Sequence, residues 1–322
     1  MTGTGEKYIR IEALARQGGL KVTRNVPLSR LTTIGTGGTA SLHVRVDTLK
    51  ALKELMPCLG NKWFVLGAGS NLLISDRPFN GVIVQLGKGF RSLRLRAGSL
   101  VCGAAIPLSR LVNKAILAGF SRFEELSGIP GTVGGAAAMN AGTHVQDLGG
   151  LTSRLWMVDM DGNKRSFTKI NLVRGYRRSL APVAGIVTAM TFRPCLPLGA
   201  DKSSMAGRAA QLAAERRKKH PWQARTFGST FKNPPGETAG LLIERAGLKG
   251  FRIGGARVST VHANFIENVS SATSTDVLEL IKNIHRTVRE RFDVSLEPEV
   301  RLLGFAREEL GELAGFAPQV SN

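Results

Sequence analysis

Ser127-Gly128-Ile129-Pro130-Gly131-Thr132-Val133-Gly134-Gly135-Ala136-Ala137-Ala138-Met139-Asn140-Ala141-Gly142 is the stretch on which the reading of the fold turns. Five glycines fall in the fifteen residues from 128 to 142, with small residues between them. Glycine lets the backbone come close to a ligand and accepts positive φ where the chain must turn. Successive backbone N–H groups in such a loop form a concavity suited to a phosphate or pyrophosphate. A tight turn with close helix packing would account for a single glycine, but not as readily for five. The expected guest is anionic.

A second loop points the same way. Lys62-Trp63-Phe64-Val65-Leu66 reads as a short buried strand, followed at once by Gly67-Ala68-Gly69-Ser70-Asn71 and the apolar run from Leu72 to Ile74. The dinucleotide fingerprint is not met, because the third glycine of Gly-x-Gly-x-x-Gly is absent and no 10–15-residue helical pattern follows. No Gly-Lys-Ser/Thr triplet occurs, so there is no P-loop. Two phosphate-type loops therefore stand outside the common nucleotide folds.

Composition limits the function classes. With 322 residues and 43% hydrophobic content, the chain can bury a full core in two or three domains. Charged residues interrupt the first dozen positions, so no signal peptide is expected. No run approaches the roughly 20 apolar residues of a membrane span, and no membrane partner is expected. Cys58, Cys102 and Cys195 are odd in number and widely spaced, which fits a reduced, cytoplasmic setting. The five histidines are scattered, and no metal site is expected. The net charge of +20 suits anionic substrates or a solvated basic surface. Aromatic content is only 6%, with no basic-aromatic interleaving, so specific nucleic-acid binding is not expected.

Along the chain, helices are expected near Glu6–Arg16, Thr48–Leu59 and Leu108–Ala118, and a hairpin turning at Asp161-Gly162. Gly199 to about Met205 reads as a linker. Val277, Leu280, Ile281, Ile284 and Val288 repeat at helical spacing behind the capping candidates Ser274, Thr275 and Asp276. The class is α+β, without a regular βαβ rhythm.

A third cluster, Gly228-Ser229-Thr230-Phe231-Lys232-Asn233-Pro234-Pro235, combines a hydroxyl, an ammonium and an amide, although a capped turn would also explain it. With it the resemblance becomes specific. The chain resembles the UDP-N-acetylenolpyruvoylglucosamine reductases, the UDP-N-acetylmuramate dehydrogenases of peptidoglycan precursor synthesis, from about Asn25 to Gly304. The motifs run in order through Leu31-Thr32-Thr33-Ile34-Gly35-Thr36-Gly37-Gly38, the loops at 67–73 and 128–135, Gly175-Tyr176-Arg177-Arg178-Ser179, the Ser229 cluster and Leu296-Glu297-Pro298-Glu299-Val300-Arg301.

The resemblance implies non-covalent FAD in a fold similar to the vanillyl-alcohol-oxidase/p-cresol-methylhydroxylase flavoproteins, built from two α+β subdomains, with a C-terminal α+β substrate domain. The expected division is an N-terminal segment 1–24, FAD-binding subdomains 25–86 and 87–199, a substrate domain 200–305 and a tail 306–322. Little chain separates Phe192 from Arg216, as in the short type II form. The implied reaction takes NADPH as co-substrate and reduces an enolpyruvyl ether of a UDP-sugar, in a protein expected to be a monomer. The alternative is another flavin oxidoreductase of this fold, acting on a small alcohol or sugar. Its covalent members attach flavin to a histidine, and neither glycine loop proper contains one.

Site residues follow from the same resemblance. Flavin contacts are expected from Gly67, Ala68, Gly69, Ser70, Asn71 and Leu72, and from Pro130, Gly131, Thr132, Gly134, Gly135, Asn140, Ala141 and Gly142. Where the family continues with alanine, tyrosine and glycine, Thr143-His144-Val145 stands here. Arg177 matches the active-site arginine, whose forked guanidinium suits charge developing on a carboxylate. Glu299 matches the catalytic glutamate, which requires a raised pKa if it is to donate, with Glu297 structural. Ser229 matches the proton donor, placed beside cationic neighbours such as Lys232. Lys219 matches a pyrophosphate-gripping position, and Tyr176, Lys232, Asn233, His262 and Asn264 are further substrate-contact candidates.

Overall fold

The computed structural model describes residues 3–173, 175–194 and 201–316, with the side chains of 3–5 left aside. Cys195 and the first residues of the expected linker lie outside the described residues, as does the tail beyond 316. Backbone contacts divide the chain into two compact units, one of residues 1–24, 42–68 and 81–216, the other of residues 25–41, 69–80 and 217–322.

In the first unit an antiparallel five-stranded sheet has the order Leu93–Arg96, Ser99–Gly103, Gly185–Phe192, Thr152–Asp159, Lys164–Thr168. Its period-2 pattern is clearest in Gly185–Phe192, where Ile186, Thr188, Met190 and Phe192 are buried and their neighbours are not. Met190 and Phe192 join Leu100, Cys102, Leu155 and Met157 beneath the helices Leu108–Leu117 and Val133–Met139. The hairpin turns as expected, with Gly162 at φ +80° and the Asp159 carboxylate accepting from the N–H groups of Asp161 and Asn163 at 3.1 and 2.8 Å. A four-stranded sheet, ordered Leu20–Pro27, Thr39–Val46, Phe79–Leu86, Trp63–Val65, covers a second core around Leu42, Val44, Leu52 and Leu55. Burial pushes the Cys102 thiol up to about 12, so this cysteine is an inert core residue.

The second unit is organised by the helix Ser274–Phe292. Val277, Leu280, Ile281, Ile284 and Val288 are all fully buried, and each such side chain contributes about 1.5–3 kcal/mol of hydrophobic stabilisation. The helix starts one residue earlier than expected. Thr273 is the N-cap and exchanges hydrogen bonds with Asp276 in a capping box. Ser274 instead clasps Asp76, its hydroxyl accepting from Asp76 N at 2.8 Å and its N–H donating to Asp76 Oδ2 at 2.6 Å. The helix packs against the small sheet Arg252–Ile253, Ala256–Val258, Ile266–Asn268. A parallel pair joins Leu72–Ile74 to Arg301–Leu303.

The linker reading gives way from residue 202 on, where the helix Lys202–Lys219 begins. The Asp201 carboxylate accepts from Ser203 N and Ser204 N at 3.0 and 3.1 Å, which starts the helix at a stretch whose small residues suggested a loop.

Candidate active site

The glycine stretch is not loop throughout: Val133–Met139 is a short helix. Thr132 caps it, accepting from Gly135 N at 3.2 Å. Val133 N and Gly134 N are used by Ile106 O and Ala104 O at 2.9 and 2.8 Å. A Cβ on Gly134 would lie 3.0 Å from Ala104 Cβ, so that glycine is required by packing inside the protein. Gly135 faces outward, with only Thr132 Oγ1, at 3.3 Å, near a Cβ placed there. A Cβ on Gly67 would come within 2.7 Å of the same hydroxyl and 3.9 Å of Gly135 Cα, which brings the two glycine loops together.

The Gly67 loop holds the unspent donors. Among the described residues, the backbone N–H groups of Gly67, Ala68, Gly69 and Ser70 donate to no acceptor. Gly69 has φ +67°, and a Cβ there would collide with Leu31 O and come within 2.9 Å of Thr32 Cα. Consecutive free N–H groups around a left-handed residue make an anion-binding nest, and this donor set fits the pyrophosphate of a dinucleotide cofactor. Of the neighbouring candidates, Leu72 is buried as the first residue of its strand, and Gly131 O accepts from Leu108 N at 2.9 Å, next to exposed Pro130.

The amide of Asn140 wires this region to the arginine motif. Left-handed at φ 43° and 2% exposed, Asn140 donates to Asp147 Oδ2 at 2.9 Å and Gly175 O at 3.1 Å, and accepts from Gly149 N at 2.9 Å. Ala141 N bonds to Ala136 O at 2.9 Å, closing the helix end. Arg177, also left-handed at φ 57°, donates from Nη2 to Gly142 O at 3.2 Å and lies 4.9 Å over the exposed Tyr176 ring. A non-glycine residue held in this region stores about 1–3 kcal/mol of strain, which is common at functional positions. Where the sequence departs from the family, Thr143 Oγ1 accepts from Val145 N and Gln146 N at 3.1 and 3.2 Å, a self-closed turn that needs no aromatic side chain.

In the second unit, the backbone joins the segment after Ser229 to the Glu-Pro-Glu motif. Glu299 N donates to Thr230 O and Lys232 N to Glu297 O, each at 2.8 Å, and Phe231 bridges Pro298 in antiparallel sense. Asn71 adds further support, its Nδ2 donating to Glu299 O at 3.0 Å and its carbonyl accepting from Arg301 N at 3.2 Å. Lys232 Nζ is 2.5 Å from Glu297 Oε1, so the first carboxylate of the Glu-Pro-Glu motif is spent on the lysine.

Asn264 is 4% exposed and bonds the Phe231 backbone twice, its Oδ1 accepting from N at 2.9 Å and its Nδ2 donating to O at 2.8 Å. Its amide thus holds the backbone two residues after Ser229. Asn233 Oδ1 caps Ala239 N at 3.1 Å. His262 packs against His220 and Phe265, ring centroids 5.4 and 5.0 Å away, and its Nδ1 accepts from Asn264 N at 3.2 Å. Burial, and after it the positive charge of Lys249, lowers the pKa of His262. Lys219 is exposed at the end of its helix. Asp147, which holds Asn140 and caps the turn after it, carries no signal in the sequence beyond its place five residues past Gly142.

The fold and this donor set define an FAD-binding flavoprotein: a model described as an FAD binding domain matches residues 40–162. A second, described as the C-terminal domain of UDP-N-acetylenolpyruvoylglucosamine reductase, matches residues 220–303. The reductase of Halalkalibacterium halodurans bearing that name is 38% identical over 288 residues, covering 88% of this chain and 95% of its own. One from an Anaeromyxobacter species is 39% identical over 320 residues, covering 96% and 97%. The crystal structure of UDP-N-acetylenolpyruvylglucosamine reductase from Thermus caldophilus superposes with a TM-score of 0.77 at 35% identity, covering 88% of this chain and all of that one. The chain belongs to the UDP-N-acetylenolpyruvoylglucosamine reductase family, whose members are FAD-dependent oxidoreductases. Among the described residues no helix is long and apolar enough to cross a membrane.

Proposed function

We propose that the chain uses NADPH to reduce UDP-N-acetylglucosamine enolpyruvate to UDP-N-acetylmuramate for peptidoglycan precursors, as a cytoplasmic monomer with non-covalent FAD. We assign FAD binding to subdomains 25–86 and 87–199 and the sugar nucleotide to residues 200–305. The chemistry FAD supplies when bound is the relay of a hydride from NADPH to the methylene carbon of the enolpyruvyl group.

The chain's own residues then have three tasks. The Gly67–Ser70 N–H groups receive the cofactor pyrophosphate, with Gly131 to Gly135 alongside. Negative charge grows on the enolpyruvyl carboxylate as hydride arrives, and the forked guanidinium of Arg177 and the carboxyl group of Glu299 stabilise it. The Ser229 hydroxyl delivers a proton to the neighbouring carbon. Lys219 grips the substrate pyrophosphate, with Tyr176 and His262 as further contacts, while Asn233 and Asn264 serve through the backbone they hold and Lys232 through the Glu297 carboxylate.

The observation that supports this reading is the Glu299 N to Thr230 O bond, which joins the backbone of the Glu-Pro-Glu motif to the residue after Ser229. The test is NADPH consumption by the purified yellow protein. Consumption should depend on the enolpyruvyl sugar nucleotide and yield UDP-N-acetylmuramate in equal amount; consumption indifferent to that substrate would refute the reading.

A further inference from the structure

Residues 305–316 lie beyond the motifs quoted above and beyond the matched C-terminal domain, yet they are folded onto the second unit. Arg307–Leu310 is helical and Gly311–Gly315 continues as a 3₁₀ turn. Leu310 and Leu313, 7% and 1% exposed, enter the core of the unit. This segment closes over His285 on the helix Ser274–Phe292. The imidazole is 2% exposed, and its Nδ1 lies 2.9 Å from Leu296 O. A carbonyl oxygen can only accept, so Nδ1 carries the proton. The outer edge of the ring faces Glu312, with Nε2 3.6 Å from Oε2. The same carboxylate oxygen accepts from Arg289 Nη1 at 2.8 Å, and the Phe316 ring stands edge-on with its centroid 5.9 Å away.

Leu296 opens the Glu-Pro-Glu motif. Three residues on, Glu299 is bonded through its N–H to Thr230 O, next to Ser229. The backbone from 296 to 299 is therefore pinned at one end by His285 and at the other by Thr230. Pro298 fixes φ within it and leaves little slack. A shift at Leu296 is passed to Glu299 rather than absorbed.

We propose that His285 is a positioning residue for Glu299, and that the segment 307–316 holds it through Glu312. The inference rests on the reading of Ser229 and Glu299 given above. A histidine that only fills the core would lower stability and leave the chemistry in proportion.

The experiment follows bound-flavin absorbance by stopped flow in the holoenzyme, separately for bleaching by NADPH and for recovery on adding the enolpyruvyl substrate. Asparagine can offer an N–H near the position of Nδ1, and leucine cannot. His285→Leu should slow recovery by about 10- to 100-fold, the scale of a misplaced reacting group, with bleaching within about twofold of wild type. His285→Asn should restore most of the lost rate, and Glu312→Gln should slow the same step by about threefold. Equal slowing of both steps in His285→Leu, or of neither, overturns the proposal. If His285→Leu does not fold, Glu312→Gln decides, and an unchanged recovery step overturns it. A wild-type enzyme bleached by NADPH but never restored by the substrate would instead refute the reaction on which the inference rests.

Discussion

At the scale of single residues, the sharpest expectation concerns Ser229. On the proposed assignment, bleaching of bound flavin by NADPH requires no proton from this hydroxyl, whereas product formation does. Ser229→Ala should leave the first step near normal and slow the second by about 10²–10⁴-fold, the range for removing an acid–base group. Stopped-flow absorbance of each step decides it; slowing of both alike would make Ser229 a binding or folding residue. The glycines can be separated in the same spirit. Gly134 backs onto Ala104, so valine there would damage the protein whatever it binds. Gly135 faces outward, and Gly135→Val should purify folded but with little flavin, read from the ratio of visible to ultraviolet absorbance. Full flavin content in that variant would move the cofactor away from this loop. The order and identity of these residues were legible in the sequence because glycine, serine and carboxylate motifs are short and local. The roles of Asn264 and Lys232 were not. Their side chains are engaged by Phe231 and Glu297, partners more than 30 positions away that no local pattern reveals.

At the scale of elements, periodicity served where one face is buried. The helix Ser274–Phe292 was legible because its apolar residues line a single core, and the hairpin because Asp161-Gly162 fixes its turn. Val133–Met139 was hidden, since Gly134 and Gly135 have poor helix propensity and the helix depends on the Thr132 cap and on packing against Ala104. Lys202–Lys219 was hidden at its start for the opposite reason. Its first turn is polar and small, with Met205 the one residue of the helix that is buried. The capping box of Ser274–Phe292 allows a measured test. Thr273→Ala removes the hydroxyl that accepts from Asp276 N at 3.0 Å, and should lower stability by about 1 kcal/mol. Chemical denaturation followed by circular dichroism measures this, and an unchanged midpoint would mean that Asp276 alone suffices.

At the scale of the whole molecule, acidification is destabilising through two terms that can be distinguished. The pKa of His43 is lowered by burial, as is that of His262, where Lys249 adds to the effect. For His43 burial outweighs an opposing hydrogen bond with Gln85, and the charge of Arg45 adds to it, so protonation places a charge in a half-buried site. A histidine whose folded pKa is depressed binds its proton more readily when unfolded. Its contribution is thus complete above the unfolded value of about 6.5 and is lost as pH falls through the depressed folded value. Stability should therefore decline as pH falls below about 6.5, before most carboxylates titrate. The net charge of +20 adds self-repulsion over the same range as further protons bind. Salt separates the two, because it screens surface repulsion at Debye lengths of about 8–10 Å but reaches buried sites much less. Denaturation midpoints recorded across this range at low and moderate salt should keep a pH slope that salt does not remove, and His43→Gln with His262→Gln should flatten it. A slope abolished by salt alone would assign the whole effect to surface charge and leave the two half-buried histidines without a part in it.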